Sequence, residues 1–186
     1  MHRGTTLGLA FMLALGLGVG STLAGCATSS SGVARVAGGP SDASTAAFAR
    51  LKTLEGKWYS KDDKGQESLA SVIKVSSAGS AVVETMFPGE PHEMTNVYTL
   101  DGDRVLATHY CAQGNQPRMA CTGIARDGSI PFAFESVTNL ASSEQTYMGG
   151  LTLRQSGNNQ LTQEWTSYTN GVVDASHHAV FELTRK

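Results

Sequence analysis

Residues 108 to 121 read THYCAQGNQPRMAC, bringing His109 together with Cys111 and Cys121, two of the chain's three cysteines. Three chemistries suit these residue types. An imidazole and two thiolates can hold zinc or copper with one coordination position open. A thiol near an imidazole is the beginning of a nucleophile–base pair. Two cysteines on facing strands can close a disulfide. Alternation along a strand puts His109 and Cys111 on one face, and a turn centred on Gln116 would set Cys111 opposite Cys121. The metal reading lacks support from a second Cys-x-x-Cys or a usable His pair, so no metal or other cofactor is expected. The nucleophile reading lacks a third group to orient the imidazole, and two residues of strand separate Cα atoms by ~6.5–7 Å.

The remaining chemistry-bearing residues are scattered. His177 and His178 are adjacent, so on a regular strand they face opposite ways and cannot chelate together. His177 shares its parity with Ala179, Phe181 and Leu183 and is expected inward, with His178 in water. Glu84, Glu135 and Glu164 lie within expected strands, but no carboxylate pair has acid/base spacing. Gly-x-Ser-x-Gly, the phosphate loop and His-Glu-x-x-His are all absent. An enzyme is therefore not the expected class, and the catalytic alternative uses His109 as base, with or without Cys111.

The elements that must position these residues come from the pattern along 186 residues. STAAFARLKTLEG, starting at Ser44, carries an apolar stripe of Ala46, Ala47, Phe48, Leu51 and Leu54. That stripe predicts a short helix capped by Ser44 or Thr45 and ended by Gly56. Period two then takes over, with strands expected at 56–61, 67–76, 80–87, 93–100, 104–111, 118–126, 129–137, 145–154, 160–168 and 175–184. Turn residues such as Asp63-Lys64-Gly65, Asp101-Gly102-Asp103, Asp127-Gly128 and Asn170-Gly171 separate them. Ten short strands in an antiparallel up-and-down order remove their edges by closing into a β-barrel, so the expected class is all-β with one short N-terminal helix.

The start of the chain sets the compartment. MHRGTTLGLAFMLALGLGVGSTLAGC has one base, Arg3, then a glycine-rich apolar run from Leu7 to about Val19. The run is shorter than the ~20 residues that span a bilayer and reads as a signal peptide. Its end, Leu23-Ala24-Gly25-Cys26, resembles the lipobox of bacterial lipoproteins. That resemblance implies cleavage after residue 25 and acylation of Cys26, a membrane anchor worth ~0.8 kcal/mol per buried CH₂. Ala27 in place of Asp is compatible with sorting to the outer membrane, on its periplasmic face. In such an oxidising space the two cysteines that remain, Cys111 and Cys121, are expected to pair as a disulfide. Residues 27 to 45 are small and polar and read as a flexible tether, leaving 46–186 as one domain. Without residues 1–25, thirteen bases face sixteen acids, a net −3 with no basic tract, so nucleic acid is not an expected partner.

Gly56-Lys57-Trp58 on the first strand and Arg185 near the end of the last resemble the calycin superfamily of lipocalins and fatty-acid-binding proteins. That resemblance implies a tryptophan, Trp58, closing the barrel floor with Arg185 packed across it. VYTLDGDRVLATHYCAQGNQPRM, FESVTNL, MGGLTL and LTQEWTSYTNG are similar to a family of uncharacterised bacterial calycin-like domains, over most of residues 54 to 186. Thr99, Tyr147 and Gly149 stand where that family carries histidines. The expectation is a lipid-anchored envelope protein whose barrel binds a small, partly apolar molecule. Tyr147, Gln163, Trp165 and Phe181 are the expected inward side chains, with His109 and His177 as polar contacts. A haem- or metal-binding barrel, or a structural protein with a filled barrel, would fit the same pattern of strands.

Overall fold

Glycine and Asx residues at the expected breaks let consecutive strands fold back on one another, and all ten do. The computed structural model describes residues 37–186, which fall within one compact unit. Cys26, the expected signal peptide and the tether as far as residue 36 lie outside the described residues. Helix α1 (Asp42–Lys52) is followed by β1 (Gly56–Lys61), β2 (Glu67–Ser76), β3 (Ala81–Met86), β4 (Met94–Asp101) and β5 (Arg104–Tyr110). Then come β6 (Gln116–Cys121), β7 (Ile130–Thr138), β8 (Tyr147–Ser156), β9 (Gln160–Thr169) and β10 (Val172–Arg185). Each strand pairs with its sequence neighbours and β1 pairs with β10, giving a closed ten-stranded antiparallel barrel of calycin-like form.

The helix begins earlier than its apolar stripe suggested, so residues 42–45 belong to the folded domain and not to a tether. Ser41 caps it: the Ser41 hydroxyl accepts from the Ser44 N–H at 3.0 Å, and the Ser44 hydroxyl accepts from the Ser41 N–H at 3.1 Å. This reciprocal box satisfies two of the N–H groups that a helix start leaves free. The Ser44 hydroxyl also reaches the carbonyl of Gly102 at 3.1 Å, tying the helix to the β4–β5 turn. Thr53, in right-handed helical geometry, ends the helix, so Gly56 has a different task. Its φ is +145°, and a Cβ there would stand 2.9 Å from Cδ of Arg185.

That approach seals one end of the barrel. Trp58 is fully buried and sits directly opposite Arg185 in the β1–β10 pair. The Trp58 indole N–H donates to the Leu54 carbonyl at 2.8 Å, and the Arg185 guanidinium lies 4.9 Å from the ring centroid. Arg185 also donates to the carbonyls of Thr53, at 2.8 Å, and Glu55, at 3.1 Å, satisfying acceptors left where the helix ends. Ala47, Phe48 and Leu51 of α1 pack into the same core as Trp58, Val105, Leu161 and Leu183. The floor is filled, and the loops at 62–66, 87–93, 111–115, 139–146 and 170–171 surround the opposite end.

Two local departures from simple alternation decide where the chemistry goes. In the β5–β6 hairpin Val105 pairs with Cys121 and Thr108 with Arg118, so the turn is centred on Gln113 and not on Gln116. Gly114, at φ +84°, makes that turn, and the Cys111 N–H donates to the Asn115 carbonyl at 3.1 Å. Strand β6 accordingly stops at Cys121, short of the expected 126. In the β9–β10 pair, β10 advances from Asp174 to Ala179 while β9 advances only from Ser167 to Trp165. The bulge between them breaks the parity that would have carried His177 inward.

Candidate functional site

The strand faces that point into the barrel are apolar at the floor and polar at mid-height. Glu84 of β3 is buried there, between Val82 and Met86. Its carboxylate accepts from the Ser71 hydroxyl at 2.7 Å and the Gln163 amide at 2.6 Å on one oxygen. The other oxygen accepts from the Asn96 amide and the Tyr98 hydroxyl, each at 2.8 Å. Donors on both oxygens satisfy the hydrogen-bonding capacity of this buried carboxyl group. Burial, with Glu84 alongside, pushes the Tyr98 phenol well above its usual range. Trp165 joins weakly, its indole N–H 3.4 Å from the Gln163 carbonyl oxygen.

His109 extends this network upward. It pairs with Asn96 across β4–β5, and its Nδ1 lies 2.7 Å from the Asn96 side-chain oxygen. Its ring packs on Trp165 with centroids 4.9 Å apart. The residue is 1 % exposed, and burial lowers its pKa from 6.5 to about 4, so the ring is neutral at pH 7. Its Nε2 is buried with no hydrogen-bond partner. The same is true of both polar atoms of the Asn115 side chain, which is fully buried in the β5–β6 turn.

Above this layer, at the open end, lies a cavity of about 400 Å³ lined by Cys111, Gln113, Thr146, Tyr147, Met148, Ser167 and residues 176–179. The bulge of β10 forms one wall. Asp174 holds it in shape, accepting from Ser176, from His177 Nδ1 at 2.8 Å and from the Thr169 hydroxyl at 3.0 Å. Those bonds, led by Ser176 and His177, hold the Asp174 carboxyl well below the usual carboxylate range.

The expected site residues divide among these layers. Tyr147 lines the cavity, its ring 5.7 Å from Tyr168 and 5.3 Å from Phe134. His177 lines it too, but as an exposed side chain on the bulge and not as an inward one. His178, expected in water, turns its Nε2 to within 3.6 Å of Glu164 and also edges the cavity. His109, Gln163 and Trp165 lie beneath the cavity, in the mid-barrel network. Phe181 is half-buried and packs edge-on against Phe87, centroids 5.5 Å apart.

The expected disulfide is overturned. Both Cys111 and Cys121 are free. Cys121 pairs with Val105, six residues along β5 from Cys111, and that length of strand is ~20 Å where a bridge needs Cα atoms within ~7 Å. Cys111 lies at the mouth, whereas Cys121 lies toward the floor with its thiol donating to the Gly123 carbonyl at 2.9 Å. A His109–Cys111 pair does not form either, since Nδ1 is engaged by Asn96 and Nε2 has no partner. Among the described residues, no group of three or more His, Cys, Asp or Glu side chains is placed to hold a metal ion.

Ser71, Glu84, Asn96, Tyr98 and Asn115 were not anticipated as site residues. A signal for one of them was present: Glu84 shares its parity with Val82 and Met86, an acid in the middle of an inward apolar row. A search of protein-family models finds none that matches the chain, and a search of curated proteins likewise finds no match.

Proposed function

We propose that this chain is a lipid-anchored protein of the bacterial envelope, facing the periplasm from the outer membrane, and that its barrel mouth binds a small, partly apolar molecule. The observation that carries the binding half is the cavity of about 400 Å³ at the open end of a barrel whose other end is sealed by Trp58 and Arg185. Small-molecule sites run to ~300–1,000 Å³, concave and mostly apolar with a few polar groups. Met148, Tyr147 and Ala179 supply apolar surface, while Thr146, Ser167 and Gln113 supply hydrogen-bonding groups. The anchoring half rests on the lipobox-like Leu23-Ala24-Gly25-Cys26. Among the described residues no helix is long and apolar enough to cross a membrane.

Native mass spectrometry of protein extracted from the producing cell tests the binding reading. A retained small mass is expected, and a haem or metal mass would redirect it. The filled floor supports a second reading, a structural envelope protein without a ligand, and a bare chain in that measurement would favour it. The anchor is tested separately: Cys26→Ala should leave the protein unprocessed or released from the membrane fraction. Normal processing and fractionation of that variant would remove the lipoprotein reading.

A further inference from the structure

The direction of hydrogen bonding through the mid-barrel network fixes what the unpartnered atoms above it can accept. The NH₂ of Asn96 faces Glu84, donating to its carboxyl group at 2.8 Å. The Asn96 oxygen therefore faces His109, and Nδ1 of His109 must carry the ring's proton to donate to it. The neutral ring then presents Nε2 as a bare lone pair, an acceptor without a donor. Asn115 adds a second acceptor, Oδ1, and an NH₂ donor, both also unpartnered.

His109 and Asn115 stand on the two arms of one hairpin and share the inward face with Pro117 and Met119. They are diagonal neighbours, because Cys111 is the residue opposite Asn115. His109 lies one residue pair beneath the cavity: Cys111, two residues on and just past the end of β5, and Ser167, two beyond Trp165, both line it. Met148, opposite Ser167, lies in the same lining layer, and the Ser167 hydroxyl donates to its sulfur at 3.1 Å. A thioether side chain with three rotatable bonds is readily displaced. A buried polar atom left without a partner is destabilising, so a ligand group that supplies partners to these three atoms is favoured there.

We propose that the inner end of the mouth cavity is a hydrogen-bonding subsite, made by His109 Nε2 and the Asn115 amide, that takes the primary carboxamide head of a ligand after Met148 moves aside. A primary carboxamide brings two N–H donors and one carbonyl acceptor. It can donate to His109 Nε2 and Asn115 Oδ1 while accepting from Asn115 Nδ2. A hydroxyl satisfies only part of that set, an ether oxygen offers no donor, and a carboxylate sets a charge against two acceptors. The ligand's apolar part would lie toward Met148, Tyr147 and Ala179. This inference rests on the reading of the mouth as a ligand cavity.

The test titrates the intact folded chain with four six-carbon probes, hexanamide, 1-hexanol, methyl pentyl ether and hexanoate, at pH 7, followed by NMR. Hexanamide should bind about tenfold more tightly than the ether or hexanoate, with hexanol between. In the unmutated protein the ¹⁵N resonance of His109 Nε2 should move with hexanamide and stay in place with the ether. Asn115→Leu should reduce the amide's advantage several-fold, and the Nε2 resonance keeps the test valid if that variant does not fold. Equal binding of amide and ether, or tightest binding of hexanoate, overturns the subsite and leaves the cavity reading standing. Binding of none of the four overturns both.

Discussion

The carboxylate of Glu84 on β3 accepts a hydrogen bond from the amide of Gln163 on β9 across the barrel interior, at 2.6 Å, although the two strands are not neighbours in the sheet. With Ser71, Asn96 and Tyr98 also donating to it, Glu84 ties together β2, β3, β4 and β9. Glu84→Leu would leave these buried donors without an acceptor, and the expected loss is on the order of 3–5 kcal/mol. Glu84→Gln keeps one acceptor and should lose less. Urea unfolding followed by tryptophan fluorescence measures both, and a loss below about 1 kcal/mol for Glu84→Leu would contradict the network's structural role.

Trp58 and Arg185 should be energetically coupled. Trp58→Ala removes a fully buried ring and should cost about 3–5 kcal/mol. Arg185→Ala should cost less, and a double-mutant cycle should give a coupling of about 0.5–2 kcal/mol from the cation–π contact. Strict additivity would mean that the guanidinium serves the helix carbonyls alone.

The two thiols should remain separate under oxidising conditions and react unequally. Cys111 faces the cavity and is half-buried, whereas Cys121 is 2 % exposed and burial pushes its thiol pKa up. Reaction runs through the thiolate, so Cys111 should alkylate at least about tenfold faster. Peptide mapping of unreduced protein should recover both modified cysteines; a linked pair of peptides would refute the observed hairpin register.

Stability should fall between neutral and mildly acidic pH because of His109. Its pKa is lowered from 6.5 to about 4 by burial, so over that interval the unfolded chain binds the extra proton. Stability is therefore complete above about pH 6.5 and declines as pH falls toward 4, by about 3 kcal/mol if this group acts alone. His109→Gln should flatten that decline. Denaturant unfolding at pH 7, 6 and 5 compares the two proteins, and parallel profiles would show that His109 is not the group responsible.

Strand positions were legible because each break carries its own turn residues, and the period-two rows between them are unambiguous over six to ten residues. The barrel followed from the same pattern. Hairpin centring was not legible in CAQGNQP, where Gly114 and Asn115 permit a turn about either Gln113 or Gln116. A shift of three residues in that centre moved Cys121 from Cys111 to Val105. His177 was misplaced for a related reason, since no residue between Asp174 and Ala179 announces a bulge. The acceptor role of Glu84 lies further still from the sequence, because its donors come from positions 71, 96, 98 and 163 and meet only when the barrel closes.

Because β1 pairs with β10, the seam of the barrel joins the first strand made to the last. A chain emerging from synthesis can build its hairpins in order, yet Trp58 stays without its partner until Arg185, on the tenth strand, has appeared. Closure is thus a late and strongly non-local event, of the kind that slows folding and leaves a strand edge open meanwhile. The barrel is correspondingly intolerant of loss at the end of β10. A chain cut after Glu182 would lose Leu183 and Arg185 from the seam and turn a closed barrel into an open sheet with two pairing edges, whose natural outcome is association with other copies.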